Sequence, residues 1–511
     1  MSIQANYTRK YREKMLADSY RPGYHFTAPD GNAHPGDPNG AFFADGRYHL
    51  MYLYYHDETD SYHWGHMSSL DLLHWRHHPD ALTDREGDRG CFSGGAFVDE
   101  DGTAYLTFWK FASVNGKDNG GIAIAKSPPP YDVWERMEPI AIEGSKERWG
   151  TMDLEIGGQI EHISCADPSN IWKTDGWYYM QTGNLVVLNN FGREENSEEK
   201  YRGDWTDLFR SRDLLHWEYV HRFYKNPHLA IDYPDATEDD MCPTILPLPD
   251  MPSGGKLTDK WLQTFIAHNK GGQYYIGTIE NETYIPTEHG RFSWKDNTCF
   301  APEAMLDNQN RHICWFWLRD NIQNEYQDRE WSGVYSFPRV FWYDNGLKMA
   351  PAKELDKLQY NGQTFTLGVI AENTPISVKN GASFRLQAVI RTQNDNIVGF
   401  RVRANTAGTE FTDILVDKHN GKLIMDTTNS GKEGCPCREE APFVLKDGEE
   451  LVLDLFVDRS VIEVYANNRQ AICRRGYPTD PADAVHVYAV TNGSVDFGTV
   501  EVWEMMETNM Y

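Results

Sequence analysis

The chain has 511 residues, which is too long for one small core and predicts two or three domains. Its formal net charge of −27 argues against nucleic acid or an anionic membrane as a partner, because an acidic protein repels polyphosphate. A neutral small molecule or oligosaccharide, such as a sugar, is compatible with that charge. Aromatic residues make up 13% of the chain and long helical patterns are few, so an all-β protein is predicted.

Residues 1–23 are predicted to form an N-terminal extension with a short charged helix. The first residues lack the apolar core of a signal peptide, and no run approaches the roughly 18 apolar residues of a membrane helix. The eight cysteines are scattered, and the close pair Cys435 and Cys437 has no second pair or histidine nearby to complete a zinc site. We therefore expect reduced thiols, a cytoplasmic location, no metal and no cofactor.

The first turn of the chain that carries chemistry is Asp37-Pro38-Asn39-Gly40. It precedes two short aromatic-rich runs joined by Asp-Gly, a pattern typical of a β-hairpin. Asp37 is thus predicted at the entrance of a strand, with Pro38 removing a donor from the ladder. A carboxylate in that position suits a nucleophile, although the tetrapeptide alone is equally typical of a plain turn.

A strand–turn–strand pattern recurs five times, at 41–54, 95–109, 170–180, 244–266 and 303–318. A second repeat supports it, since Asp-Leu-Leu-His-Trp at 71–75 returns at 213–217, a gap that fits two units of about 70 residues. Five units that are each too small to bury a core predict a five-bladed β-propeller over 24–350. Residues 351–370 are predicted to be a linker, and the alternating strands of 371–511 predict a β-sandwich.

Eight segments, in order, resemble the motifs of glycoside hydrolase family 32, which includes invertases, inulinases and levanases. They lie at 36–40, 64–66, 92–96, 167–168, 242–243, 301–302, 331–339 and 456–465. Each segment is a weak signal, but the ordered set covers nearly the whole chain. The resemblance implies a five-bladed propeller with the active site in its axial funnel, followed by a β-sandwich.

The resemblance also implies roles for individual residues. Retaining glycosidases need two carboxyl groups about 5–5.5 Å apart. Asp37 matches the family's nucleophile, and Asp167 matches the residue that stabilises the oxocarbenium-like transition state by holding sugar hydroxyls. Trp64, Phe92 and Ser93 match positions that line the sugar site, where rings stack on the sugar and a hydroxyl bonds to it. Trp64 could equally be a core residue of its blade, and Asp167 an ordinary turn aspartate.

Four positions depart from the family pattern. His34-Pro35-Gly36 replaces Trp-Met-Asn before the first aspartate, and Leu53 replaces a sugar-binding glutamine. Ala166 replaces an arginine, and Met241 replaces the glutamate that is the general acid/base. Losing the arginine and the glutamate together leaves neither charge unpaired, which the fold tolerates. The loss of a general acid typically costs 10²–10⁴ in rate.

A substitute acid is predicted among nearby carboxyl groups. Asp239 is the first candidate, because side chains alternate along a strand and Asp239 would then share the face of Met241. Glu303 is the second candidate, and it is also predicted to bind substrate. Alternatively, the acidic run Glu238-Asp239-Asp240 is a solvated loop.

Three functions follow from these observations. The first is a retaining glycoside hydrolase that acts on a furanoside, namely a fructoside or a fructan-derived oligosaccharide, with Asp37 as nucleophile. The second is a catalytically impaired carbohydrate-binding propeller. The third is a related furanosidase or fructosyl-transferring enzyme with an altered glycone.

Overall fold

Short antiparallel strands make up most of the computed structural model, and each sheet of the N-terminal part is formed by consecutive strands. The structure describes residues 3–27, 33–84, 90–112, 116, 118–146, 150–188, 198–201, 203–226, 238–319, 331–392, 396–431 and 433–509. Helices are few among these residues: α1 (Ile3–Ala17), the single turn α2 (Leu185–Leu188), and 3₁₀ turns at Glu199–Tyr201 and Lys353–Leu358. No helix in the described part of the chain has the length and hydrophobicity to span a membrane.

Five sheets follow one another along the chain, and we number them as blades 1 to 5. Blade 1 contains β1 (Ala33–Ala44), β2 (Arg47–His56), β3 (Ser61–Ser69) and β4 (Trp75–Leu82). Blade 2 contains β5 (Cys91–Phe92), β6 (Ala96–Val98), β7 (Ala104–Lys110), β8 (Gly121–Ser127), β9 (Glu135–Arg136) and β10 (Ile142–Glu143). The hairpin of β11 (Thr151–Ile156) and β12 (Gln159–Ser164) comes next.

The other three blades each have four strands. Blade 3 contains β13 (Trp172–Thr174), β14 (Trp177–Thr182), β15 (Asp204–Ser211) and β16 (Trp217–Asn226). Blade 4 contains β17 (Met241–Pro249), β18 (Leu257–Ala267), β19 (Gly271–Glu280) and β20 (Thr283–Arg291). Blade 5 contains β21 (Cys299–Leu306), β22 (His312–Leu318), β23 (Arg339–Tyr343) and β24 (Leu347–Pro351). The predicted five-bladed propeller is confirmed.

The repeated pentapeptide forms the turn between the third and fourth strands of blades 1 and 3. Asp71 and Asp213 each accept hydrogen bonds from the backbone N–H groups two and three residues later, at 2.8–3.0 Å. Leu72 and Leu214 both have φ of 64°. The same five residues therefore make the same capped turn two blades apart, as the sequence spacing predicts.

The C-terminal part is a β-sandwich, as predicted. Its strands are β25 (Gln359–Thr366), β26 (Val369–Ile370), β27 (Thr374–Ile376), β28 (Ser383–Ile390), β29 (Ile397–Ala404), β30 (Thr412–Asp417), β31 (Lys422–Asp426), β32 (Arg438–Pro442), β33 (Leu451–Asp458), β34 (Val461–Ala466), β35 (Gln470–Arg475), β36 (His486–Thr491), β37 (Val495–Asp496) and β38 (Thr499–Met505). The sheets have the orders β25-β38-β28-β33-β34-β35 and β27-β36-β29-β30-β31-β32, and β26 pairs with β37. Side chains such as Leu386, Phe400 and Leu453 form the core that both sheets share.

The predicted domain boundaries stay predictions. Within the segment predicted to be a linker, 351–370, β25 pairs with β38 along the edge of a sandwich sheet.

The propeller and the sandwich are joined by a buried interface. Phe337 packs against Phe456 with ring centroids 4.8 Å apart, and Arg339 Nη2 lies 3.0 Å from Glu463 Oε1 with both side chains buried. These residues belong to the motif segments 331–339 and 456–465. Both segments therefore serve the contact between the two domains.

Candidate active site

Four blades carry a residue followed by proline within or shortly before their first strand; Asp37 lies inside β1, at a shift of its register, and not at the strand entrance that the sequence predicts. These pairs are Asp37-Pro38, Asp167-Pro168, Cys242-Pro243 and Ala301-Pro302. Asp167, Cys242 and Ala301 have φ of 42°, 51° and 43°, a region that residues other than glycine rarely adopt. Such strain persists only where the surroundings hold it, and it is common at functional sites.

The side chains at three of these positions converge. Cys242 Sγ of blade 4 lies 3.7 Å from Asp37 Oδ2 of blade 1 and 3.5 Å from Asp167 Oδ2 of blade 3. Cys242 N donates to Asp167 Oδ2 at 3.2 Å, and Ser93 Oγ of blade 2 donates to Asp37 Oδ2 at 2.7 Å. Two carboxylates from different blades thus meet at one thiol.

The two carboxyl groups affect each other's protonation. Burial, followed by the negative charge of Asp37, raises the pKa of Asp167 to about 7. Burial also raises the pKa of Asp37, against the hydrogen bond from Ser93 and the charges of His268 and Arg319, which lower it. The hydrogen bond from Ser93 and the two nearby cations favour the ionised form of Asp37, which is the form a nucleophile requires.

Phe92 lies beside this pair. Its ring stacks on Phe111 with centroids 3.9 Å apart and contacts Tyr62 at 4.5 Å. Phe92 is only partly buried, so an aromatic face next to Ser93 is available to the apolar side of a sugar.

At positions 166 and 241, where the family resemblance implies an arginine and a glutamate, the chain has apolar side chains that pack together. Ala166 and Met241 are both buried, and they share one cluster with Trp109, Leu185 and Phe300. Met241 also fits closely against Gly183, since a Cβ on that glycine would lie 2.8 Å from the methionine sulfur. The neighbours of Ala166 and Met241 in this cluster, among the residues that the structure describes, are apolar.

The alternation on which Asp239 was predicted to share the face of Met241 does not reach Asp239, because β17 begins at Met241. Asp240 has φ of 42°, which breaks the alternation, and its carboxylate accepts a hydrogen bond from Tyr224 at 2.8 Å. The Asp239 carboxylate is fully buried and accepts hydrogen bonds from the backbone N–H and from Nδ1 of His268, both at 3.2 Å. Asp239 therefore cannot itself reach a substrate.

The acidic run is not a solvated loop either. Glu238, Asp239 and Asp240 are all buried, and Lys270 Nζ lies 2.6 Å from Glu238 Oε1. The run is a part of the packed contact between blades 3 and 4.

Glu303 also has a structural role in place of the predicted one. It is 3% exposed, Ala41 N of blade 1 donates to Oε1 at 2.7 Å, and Thr244 Oγ1 of blade 4 donates to Oε2 at 3.1 Å. Burial raises its pKa to about 8. Both carboxylate oxygens of Glu303 are thus engaged in contacts between blades.

Trp64 belongs to the core between blades 1 and 2, which was the alternative stated for it. The side chain is fully buried and packs in one cluster with Phe42, Leu106 and Phe108. No part of its ring is available to a ligand.

Two cationic side chains near the pair carry no motif and were missed in the sequence. His268 directly follows β18 and Arg319 directly follows β22, so they occupy equivalent positions in blades 4 and 5. Arg319 lies over the rings of Phe300 and Trp317, at 4.5 and 5.1 Å from the centroids. In blade 2 the equivalent residue is Phe111. An alignment of the repeats at the position directly after these strands would have brought His268, Arg319 and Phe111 together.

Three histidines of blade 1 form the one group among the described residues that is close enough to be tested as a metal site. His49 Nδ1 and His66 Nε2 are hydrogen-bonded at 2.9 Å, and the rings of His66 and His78 are stacked with centroids 4.3 Å apart. Both nitrogens of His78 are engaged at 2.6 Å, by Ser68 and by Asp132. Parallel rings with nitrogens already bonded suit a hydrogen-bonded core better than convergent metal ligands.

Comparison with known families matches almost the whole chain. Residues 25–351 match the N-terminal domain of glycosyl hydrolases family 32, and residues 354–504 match the C-terminal domain of the same family. These two ranges correspond to the propeller and the sandwich.

Individual relatives agree with that result. The chain is 25% identical over 521 residues to a levanase of Bacillus subtilis, covering 93% of this chain and 69% of the levanase. It is 23% identical to a sucrose-6-phosphate hydrolase of Zymomonas mobilis, covering 98% and 95%. Among solved structures, fructan 1-exohydrolase IIa of Cichorium intybus superimposes with a TM-score of 0.77 at 19% identity, covering 96% of this chain and 98% of that one.

Proposed function

Because the chain belongs to glycoside hydrolase family 32, we propose that it hydrolyses a fructoside or a fructan-derived oligosaccharide with retention of configuration. The observation that carries this proposal is the convergence of Asp37 and Asp167 at Cys242, with Ser93 fixing Asp37. That arrangement sets a hydrogen-bonded carboxylate, the proposed nucleophile of a double displacement, beside a second carboxyl group that can hold sugar hydroxyls.

In the proposed mechanism Asp37 attacks the anomeric carbon and forms a covalent glycosyl ester. The leaving group departs with the electron pair of the glycosidic bond and takes up a proton. Water then attacks the same carbon and releases Asp37. Asp167 holds sugar hydroxyls as positive charge develops on the ring, and its raised pKa lets it act as acceptor or as donor. Phe92 stacks against the sugar, and Ser93 keeps the nucleophile oriented.

Substrates seen with structural relatives support a small fructoside. A variant of the Cichorium intybus fructan 1-exohydrolase is in complex with 1-kestose, and a variant of a Bombyx mori β-fructofuranosidase is in complex with sucrose. We propose an oligosaccharide of this class as substrate, with neither nucleic acid nor membrane as a partner. All eight cysteines are free, which supports the proposed cytoplasmic location.

A second candidate function is favoured by the apolar packing around Met241. A propeller that keeps Asp37 and Asp167 but supplies no acid at the usual place would bind fructosides and turn them over very slowly. The measured rate of fructoside hydrolysis distinguishes the hydrolase from the binding protein.

The test compares the wild type with Asp37→Asn on sucrose, 1-kestose, inulin, levan and an aryl β-fructofuranoside. Asp175→Asn, at an exposed turn of blade 3, is the matched control. We expect fructose release by the wild type and the control, a loss of at least about 10³-fold in Asp37→Asn, and a first-formed product of retained configuration by NMR. Sugar binding by calorimetry without any turnover would instead establish the binding protein.

A further inference from the structure

His268 and Asp239 form a side-chain pair that the family motifs do not include. Asp239 lies two residues before β17, and His268 directly follows β18, the strand that pairs with β17. The Asp239 carboxylate accepts from His268 N and from His268 Nδ1 at 3.2 Å. The carboxylate is fully buried, whereas the histidine side chain is 45% exposed. The carboxylate of the pair is therefore enclosed by protein, whereas the imidazole is accessible from outside.

The contact with Asp239 fixes which nitrogen is open. A carboxylate only accepts hydrogen bonds, so Nδ1 carries the proton that it shares with Asp239. Nε2 makes no hydrogen bond to any described residue. A buried aspartate that orients a histidine in this way leaves the second ring nitrogen free to exchange a proton with a ligand.

The pair is held beside the two site carboxylates. Asn184 N donates to the carbonyl oxygen of Asp239 at 2.8 Å, and Gly183 N donates to that of Asp167 at 3.0 Å. Cys242, three residues after Asp239, touches the carboxylates of both Asp37 and Asp167. One stretch of blade 3 and one strand end of blade 4 therefore anchor the histidine pair and the carboxylate pair together.

The surroundings of His268 also favour the charged, protonated form of its imidazole. Burial lowers the pKa of His268, but the hydrogen bond and charge of Asp239 and the charges of Asp167 and Asp37 outweigh it, and the pKa is raised. Phe300 packs edge-on against the ring at 5.8 Å and adds no charge. These contacts thus favour the protonated imidazolium, the form of His268 that can donate a proton.

We propose that His268, positioned by Asp239, is the acid/base catalyst that protonates the leaving group in place of the glutamate that Met241 replaces. This inference rests on the proposed function. As Asp37 forms its bond to the anomeric carbon, the glycosidic bond breaks, its electron pair passes to the leaving oxygen, and that oxygen takes the proton of Nε2. In the second step neutral Nε2 removes a proton from water, the water oxygen bonds to the anomeric carbon, and the Asp37 carboxylate leaves.

The first test uses leaving groups of different acidity. His268→Gln is compared with the wild type on sucrose, whose leaving group needs a proton, and on 4-nitrophenyl β-D-fructofuranoside, whose leaving group barely does. We expect kcat on sucrose to fall by about 10²–10⁴ and kcat for the first step on the aryl substrate to fall by less than about 10-fold. His216→Gln is the control, since His216 pairs with Asp213 at 2.7 Å on a turn of blade 3, 79% exposed, and should change neither.

The second test is the pH profile, which a merely structural histidine would not alter. An acid must be protonated, so kcat/KM should fall as the pH rises through the pKa of His268. Asp239→Asn removes the main charge that raises this pKa and should move that fall to lower pH, while His268→Gln should abolish it. Asp239→Asn also serves if His268→Gln does not fold.

The outcomes separate the two proposals. Equal losses on both substrates in His268→Gln, unchanged cleavage of sucrose, or an unmoved profile in Asp239→Asn would overturn the role of His268 alone. A folded wild type that cleaves neither substrate would overturn the proposed function, and this inference with it.

Discussion

Met241→Glu introduces the glutamate that the family resemblance implies at this position, and we predict that it destabilises this protein without activating it. Met241 is 2% exposed and packs with Ala166, Leu185 and Phe300. A glutamate there would be buried among apolar groups with no cation at position 166 to pair with it. Burial without a partner disfavours the ionised carboxylate.

Glu303 of the same propeller gives the magnitude. Burial raises its pKa from 4.5 to about 8, although two donors bind it. A glutamate at 241 would have a pKa at least as high, and each pH unit between the unfolded and folded pKa is worth about 1.4 kcal/mol. The folded state favours the protonated form, so stability is lost as the pH rises from about 4.5. We expect a loss of about 3 kcal/mol at pH 7 and below about 1 kcal/mol at pH 5.

The assay is urea unfolding at pH 5 and pH 7, together with sucrose turnover. Met241→Leu, which conserves volume and adds no charge, is the control and should cost less than about 1.5 kcal/mol at both pH values. Ala166→Arg combined with Met241→Glu should recover part of the loss through a pairing that neither single variant has. A Met241→Glu protein as stable as the wild type at pH 7, with faster sucrose cleavage, would refute the reasoning.

Three further predictions concern single groups. Ser93→Ala should move the acid-side fall of kcat/KM to higher pH in a pH–rate profile, because the Ser93 hydrogen bond lowers the pKa of Asp37, which must be ionised to act. Burial lowers the pKa of His49 from 6.5 to about 3. The free energy of unfolding should therefore be highest above pH 6.5 and should fall as the pH decreases toward 3, because the folded state disfavours protonated His49. In urea titrations, His49→Phe should show a smaller fall over this range. Glu303→Gln should exceed the wild type in stability by roughly 2–4 kcal/mol at pH 9 in urea unfolding, because the raised pKa of Glu303 makes its ionisation destabilising as the pH rises from 4.5 through 8. Equal stabilities at pH 9 would contradict the last of these.

The sequence by itself determined the architecture and the position of the carboxylate pair. The number of blades follows from local patterns, because hydrogen bonds within three residues stabilise the turns between strands. Asp71 and Asp213, for example, each accept a hydrogen bond from the backbone N–H three residues later. The residues before proline, Asp37 and Asp167, lie within or shortly before the first strand of their blades. Interactions within a few residues are encoded in short stretches of sequence, which is why the repeat could be read without coordinates.

Only the tertiary structure decided what the remaining polar groups do. The bond between Glu303 and Ala41 joins residues 262 positions apart, and no local pattern shows that this carboxylate bridges blades. Side chains do not alternate regularly from Met241 back to Asp239, because Asp240 between them has a left-handed φ of 42°. The Asp240 carboxylate accepts a hydrogen bond from Tyr224, which supports that conformation. His268 meets Asp239, 29 positions earlier in the chain, only because the residues that flank β17 and β18 come together in the fold. These contacts depend on which strand ends the closed ring of blades brings together, and that closure is a property of the whole chain.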